Sequence, residues 1–138
     1  MKPDLLAKLD ILAASQEAKI LDSIRKNNGT IKQAEEQRGI LSAYRARISD
    51  SWQNGSVVSA AQARRCGYFA NASLTAEDQI NQSARRAAES LGADIAALAS
   101  VQAQRKSLQS AQTKVEMDIE RGLERRLERE LPPRRNNT

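Results

Sequence analysis

Apolar and small residues recur along this chain at steps of three and four, in two long runs. The first reads Leu5, Leu9, Leu12, Gln16, Ile20, Ile24, Asn27, Ile31, Ala34, Gln37, Leu41, Tyr44, Ile48, Trp52. The second reads Ile80, Ala84, Ala87, Leu91, Ile95, Leu98, Val101, Arg105, Leu108, Gln112, Val115, Ile119, Leu123, Leu127. Such steps average close to the period of a helix seam, and strands would need alternation instead. Both stripes are thin and contain polar members, which suits a contact between two or three helices better than a deep core. The pattern predicts an all-α chain: two long helices folded back on each other as an antiparallel coiled coil, with a short helical connector.

Local signals set the expected boundaries. Gln53-Asn54-Gly55-Ser56 ends the first helix with a glycine able to take the left-handed conformation. Ser56 or Ser59 then caps a short connector helix over about 57–72. Thr75-Ala76-Glu77-Asp78 supplies a capping hydroxyl and early carboxylates for a second long helix over about 75–131. Pro132-Pro133 closes that helix, and 132–138 reads as a frayed tail. The first long helix is expected over about 4–53, with two readings at Asn27-Asn28-Gly29-Thr30. Locally, Thr30 and Gln33 make a capping box and a helix start. Over longer range, Ile24, Asn27, Ile31 and Ala34 hold the seam in phase, and a mid-helix Gly costs only about 1 kcal/mol relative to Ala. A second helix of about 55 residues, roughly 80 Å long, is matched only by an unbroken first one.

Composition agrees with thin seams. The chain has 138 residues, one Trp, two Tyr and one Phe, so the bulk that fills multilayered cores is missing. Hydrophobic residues at 40% and charged residues at 28% give the balance of long amphipathic helices. Cys66 is the sole cysteine, which excludes an intramolecular disulfide and a cysteine metal cluster and fits a reducing, cytoplasmic setting. No apolar run reaches the roughly 18 residues of a membrane span, and the start lacks the pattern of a secretory signal. Histidine is absent, which removes the commonest general acid–base and neutral metal ligand. The remaining carboxylates and lysines fall at helix-surface spacings. No catalytic residues, metal site or cofactor are expected.

The net charge is +5, with a basic end: residues 121–138 hold six Arg and three Glu. In an antiparallel hairpin that end lies beside the N-terminus.

The stretch Ala34-Glu35-Glu36-Gln37, followed by Leu41 and Tyr44, resembles the first helix of the FliJ family, the stalk proteins of the flagellar type III export apparatus. The leucine-led N-terminus, the interrupted middle with Phe69 and the Arg-rich last helix are similar too. The resemblance implies a cytoplasmic two-helix rod, peripherally associated with the inner-membrane export apparatus. Its paired helix ends enter a hexameric export ATPase, promote assembly of that ring and link it to the membrane-embedded export gate. Export chaperones are an additional partner class. The gate-binding residues it implies are Gln37, Leu41 and Tyr44 on the first helix, with Phe69 and Leu74 after the connector. Leu74 falls five residues after Phe69, where the family pattern has four. At the paired ends, Leu5, Leu6, Arg121, Arg125 and Arg126 are the expected ATPase contacts.

Each set also has a plainer reading. Gln37, Leu41 and Tyr44 share one helical face and serve equally as seam residues. The arginines interleave with Glu124, Glu128 and Glu130, as on any solvated helix end, where cations also complement the helix dipole. Trp52 is expected to anchor the connector. An injectisome stalk and a coiled-coil export chaperone or adaptor are the alternative functions. Nucleic-acid binding, suggested by the pI of 9.7, lacks an aromatic platform, a zinc site or a uniformly basic face.

Overall fold

The computed structural model describes residues 2–53 and 59–131. Among them only Lys2, Ser59 and Leu131 lie outside helices. Helix α1 spans Pro3–Gln53 and α2 spans Ala60–Glu130, and the two pack against each other as a helical hairpin. No helix of the described residues is long and apolar enough to cross a membrane.

Helix α1 begins with Pro3 at its first position, where a missing N–H costs nothing and the fixed φ suits a helix. The Lys2 carbonyl accepts hydrogen bonds from the N–H groups of Leu5 and Leu6, at 3.1 and 3.3 Å, and Asp4 places a carboxylate in the first turn. The helix runs unbroken through Gly29. Thr30 therefore does not cap: its hydroxyl donates to the Lys26 carbonyl one turn back, at 3.1 Å.

The start of α2 uses one of the two expected caps, Ser59, but the helix it opens is not the short connector. Ser59 and Gln62 form a reciprocal capping box. The Ser59 hydroxyl accepts from the Gln62 N–H at 3.2 Å, and the Gln62 side chain accepts from the Ser59 N–H at 3.1 Å. No second start occurs at Thr75, and the expected connector helix is the first part of α2 itself. The Thr75 hydroxyl donates to the Asn71 carbonyl at 3.1 Å. Neither Gly nor Pro lies between Tyr68 and Ala76, so a helix entering at Ala60 has no reason to stop. The proposed stop at Asn54-Gly55, the Ser56 cap, the first connector residues, and the Pro-closed tail over 132–138 all lie outside the described residues.

The chain divides into two compact units. One comprises residues 20–96, the other residues 1–19 with 97–138. Within the first, partners descend along α2 as α1 ascends. Ser23 meets Asp94, Asn27 meets Ser90, Arg38 meets Asn81 and Arg45 meets Glu77. That is the antiparallel register. Its most buried residues are Ala34, Ala87 and Ser73. The second unit packs Leu6, Ala13 and Val101. There Pro3, Asp4 and Ala7 lie across a shallow hollow from Gln112, Val115 and Glu116. From Glu116 to Glu130 every α2 residue is exposed.

The inward positions of α1 follow a strict seven-residue repeat that hydrophobicity alone mis-phases. One row is Leu6, Ala13, Ile20, Asn27, Ala34, Leu41 and Ile48; the other is Asp10, Glu17, Ile24, Ile31, Arg38 and Arg45. All are buried or half-buried. Leu5, Leu12, Tyr44 and Trp52, expected in the seam, are 44–62% exposed. Gln16 and Gln37 are exposed as well. On α2 the expected stripe holds from Ile80 to Val115 except at Ile95, which is exposed while Asp94 takes its place.

Charged side chains occupy the seam because each finds a partner across it. Arg105 donates through Nη1 to Glu17 at 2.7 Å and through Nε to Asp10 at 3.2 Å. These bonds, the one to Glu17 foremost, raise the guanidinium pKa above its ordinary value. Asp94 accepts from the Ser23 hydroxyl at 2.6 Å and from the Asn27 amide at 2.9 Å. Arg45 pairs with Glu77 at 2.7 Å. A polar residue at a seam position gives up apolar contact and fixes register in exchange, since sliding the helices strands it without a partner.

Candidate functional site

The residues expected at the export gate fall in the unit of residues 20–96. Tyr44 on α1 and Phe69 on α2 meet ring to ring, with centroids 5.1 Å apart and planes tilted by 41°, an arrangement aromatic quadrupoles favour. They reach one another because Tyr44 adjoins the seam residue Arg45, while α2 arrives at the same level in the opposite direction. Neither ring is withdrawn from solvent: Tyr44 is 50% exposed and Phe69 36%.

The other three members sit differently. Leu41 is half-buried in the seam, Gln37 is exposed and Leu74 is 54% exposed. Gln37 lines a shallow hollow of about 300 Å³ with Thr30, Gln33, Ala76 and Gln79 among others, where small and polar side chains leave space between the helices. The five-residue step from Phe69 to Leu74 turns Leu74 away from the Phe69 face. Ser73, one turn on from Phe69, occupies that direction instead. It is 3% exposed, and its hydroxyl has no hydrogen-bond partner among the described residues. The face at Phe69 thus closes onto the seam at Ser73.

Beside Tyr44 lies a groove that sequence reasoning missed. Tyr44, Arg47, Ile48, Ser51 and Trp52 of α1 form one wall and Cys66 of α2 the other. Trp52 lies here, 44% exposed. The signal was present in the sequence, since all four aromatics of the chain fall between Tyr44 and Phe69. Hydrophobic patterning absorbed Trp52 and Tyr44 into the seam stripe and so hid it.

The residues expected at the ATPase fall in the other unit. Arg121, Arg125 and Arg126 are exposed on the part of α2 that follows Glu116. Ile119, Leu123 and Leu127 there are 51–62% exposed, and a shallow hollow lies between Ile119, Gly122, Leu123 and Arg126. Leu5 is 48% exposed. Leu6 is not available to a partner: at 1% exposure it is the most buried side chain among the described residues, because it holds the inward row of the heptad repeat that Leu5 lies beside.

No cluster of three or more His, Cys, Asp or Glu side chains suited to a metal occurs among the described residues. What the two regions offer is contact chemistry: aromatic rings and arginines in one, an amphipathic helix end in the other. Comparison with known proteins gives no matching family model, no similar curated protein and no similar solved structure.

Proposed function

We propose that this chain is a non-enzymatic stalk of a type III protein export apparatus, flagellar by its AEEQ–Leu–Tyr stretch. It inserts in a hexameric export ATPase, promotes assembly of the ring and couples it to the export gate. The reading rests on the resemblance of the sequence. The observation that supports it best is the Tyr44–Phe69 contact. The resemblance implies these two residues, from separate parts of the chain, as halves of one gate-binding surface, and they lie ring to ring with solvent on both. The exposed end of α2 also suits the reading, since Arg121, Arg125 and Arg126 beside Ile119 and Leu123 combine charge with apolar area.

The mechanism is mechanical. A helical hairpin touching different ring subunits unequally shifts the balance among their nucleotide states by its differential affinity for each. The test is the rate of ATP hydrolysis by the cognate export ATPase, with and without this protein, at two salt concentrations. Stimulation with ring assembly is expected. It weakens with salt and is lost in the Arg121→Ala, Arg125→Ala, Arg126→Ala triple variant. No binding and no rate change, with a helical preparation and an active ATPase, would refute the stalk and leave an export adaptor.

A further inference from the structure

The groove at Tyr44, Arg47, Ile48, Ser51, Trp52 and Cys66 combines three properties. First, it concentrates the residue types that dominate binding energy at protein interfaces, Trp, Tyr and Arg, in a chain otherwise almost free of aromatics. Second, its volume of about 280 Å³, open to solvent, is at or below the lower limit of small-molecule pockets, about 300 Å³. It suits a single bulky side chain rather than a cofactor. Third, its neighbourhood is basic on balance. Across residues 44–78 the charged residues are Arg45, Arg47, Arg64 and Arg65 against Asp50, Glu77 and Asp78. Arg45 is engaged by Glu77, whereas Arg47, Arg64 and Arg65 make no ion pair among the described residues.

We infer that this groove is the docking site for an acidic linear segment of a partner protein, which inserts one bulky apolar side chain between Trp52, Ile48 and Cys66 and sets its carboxylates against Arg47 and the neighbouring arginines. The apolar walls supply burial for the anchor. The arginines supply orientation and the rate of encounter, because opposite charge steers association and fixes which way the segment lies. The inference stands on the groove and its charge; it shares Tyr44 with the gate residues of the export reading, whose Gln37, Leu41, Phe69 and Leu74 lie outside the lining.

The chain carries its own reporters, since Trp52 is its only tryptophan and Cys66 its only cysteine. The probe is a synthetic peptide with acidic residues flanking a central Leu–Phe pair, titrated into the full chain. A saturable change in Trp52 emission is expected, with protection of Cys66 from alkylation over the same concentration range. The sister peptide with Lys for every acid, and the one with Ala for the Leu–Phe anchor, are expected to give neither. Arg47→Glu, at an exposed position that leaves the fold intact, weakens binding by about tenfold or more. Lys114→Glu, exposed in the other unit, leaves it unchanged.

Three results would overturn the inference. One is no saturable response from a chain that circular dichroism shows to be helical. Another is an equal response to the Lys peptide or the Ala-anchor peptide. The third is a response confined to anionic phosphatidylglycerol vesicles or a single-stranded oligonucleotide, which would make the patch a surface for lipid or nucleic acid. An unchanged ATPase assay bears on the stalk reading alone, so the two fail separately.

Discussion

Gly29 offers a sign test of how this hairpin is built. In the structure it lies in the interior of α1, and a Cβ built there meets no heavy atom within 4 Å. Gly29→Ala therefore adds a methyl into open space, and its effect is the difference in helix propensity. Alanine restricts the unfolded chain and suits the helix better, by about 1 kcal/mol. If the helix stopped at Asn28 and Gly29 took a left-handed cap conformation, alanine would be strained there and cost about 1–2 kcal/mol. The two arrangements differ in sign, not only in size. Urea denaturation followed by circular dichroism at 222 nm reads it. With a denaturant slope of about 2 kcal/mol per M, the continuous helix gives an upward midpoint shift of about 0.5 M. A downward shift at unchanged slope would refute the continuous helix and restore the capping box of Thr30 and Gln33.

The remaining predictions use the same measurement. Ser59→Ala removes the capping box and lowers stability by about 1 kcal/mol, whereas Thr75→Ala is neutral or stabilising by about 0.5 kcal/mol; the reverse order would place the start of α2 at Thr75. Leu6→Ala costs about 2–4 kcal/mol because the side chain is buried, while Leu5→Ala stays within about 0.5 kcal/mol. Equal losses would mean the seam is phased on Leu5. Ser73→Ala raises stability by about 1 kcal/mol, since it removes a buried hydroxyl that has no partner. A loss there would show that the hydroxyl is satisfied in solution.

The candidate sites were legible to different degrees. Tyr44 and Phe69 were each marked by resemblance, yet the sequence does not say that they touch. Contact follows from the antiparallel register, which is set by pairs such as Arg45–Glu77. The Arg121, Arg125 and Arg126 end was readable because exposure of a charged helix terminus needs no partner to predict it. Leu6 was misjudged as a contact because neighbouring leucines look alike in sequence, and only the heptad phase separates them. The Trp52 groove went unread because its walls come from residues far apart in the chain, with Cys66 contributed by α2.

The sequence by itself determined that this chain is helical and that two long helices fold together. It also determined most of the seam: Ile20 to Ala34 on α1, and Ile80 to Val115 on α2 with one exception. Those segments carry apolar residues at helical spacing, and burying such a stripe requires a second one. Tertiary structure decided the phase at several inward positions that are charged. Asp10, Glu17, Arg38, Arg45 and Asp94 face the partner helix because Arg105, Asn81, Glu77, Ser23 and Asn27 meet them there. A count of hydrophobic positions is blind to such pairs, since Asp10, Glu17, Arg38, Arg45 and Asp94 each read as surface when taken alone. Tertiary structure also decided what the threonines do. A hydroxyl caps a helix when the chain before it is not helical, and bonds back to the preceding turn when it is. For Thr30 and Thr75 that condition depends on packing along the whole helix, which no local motif records.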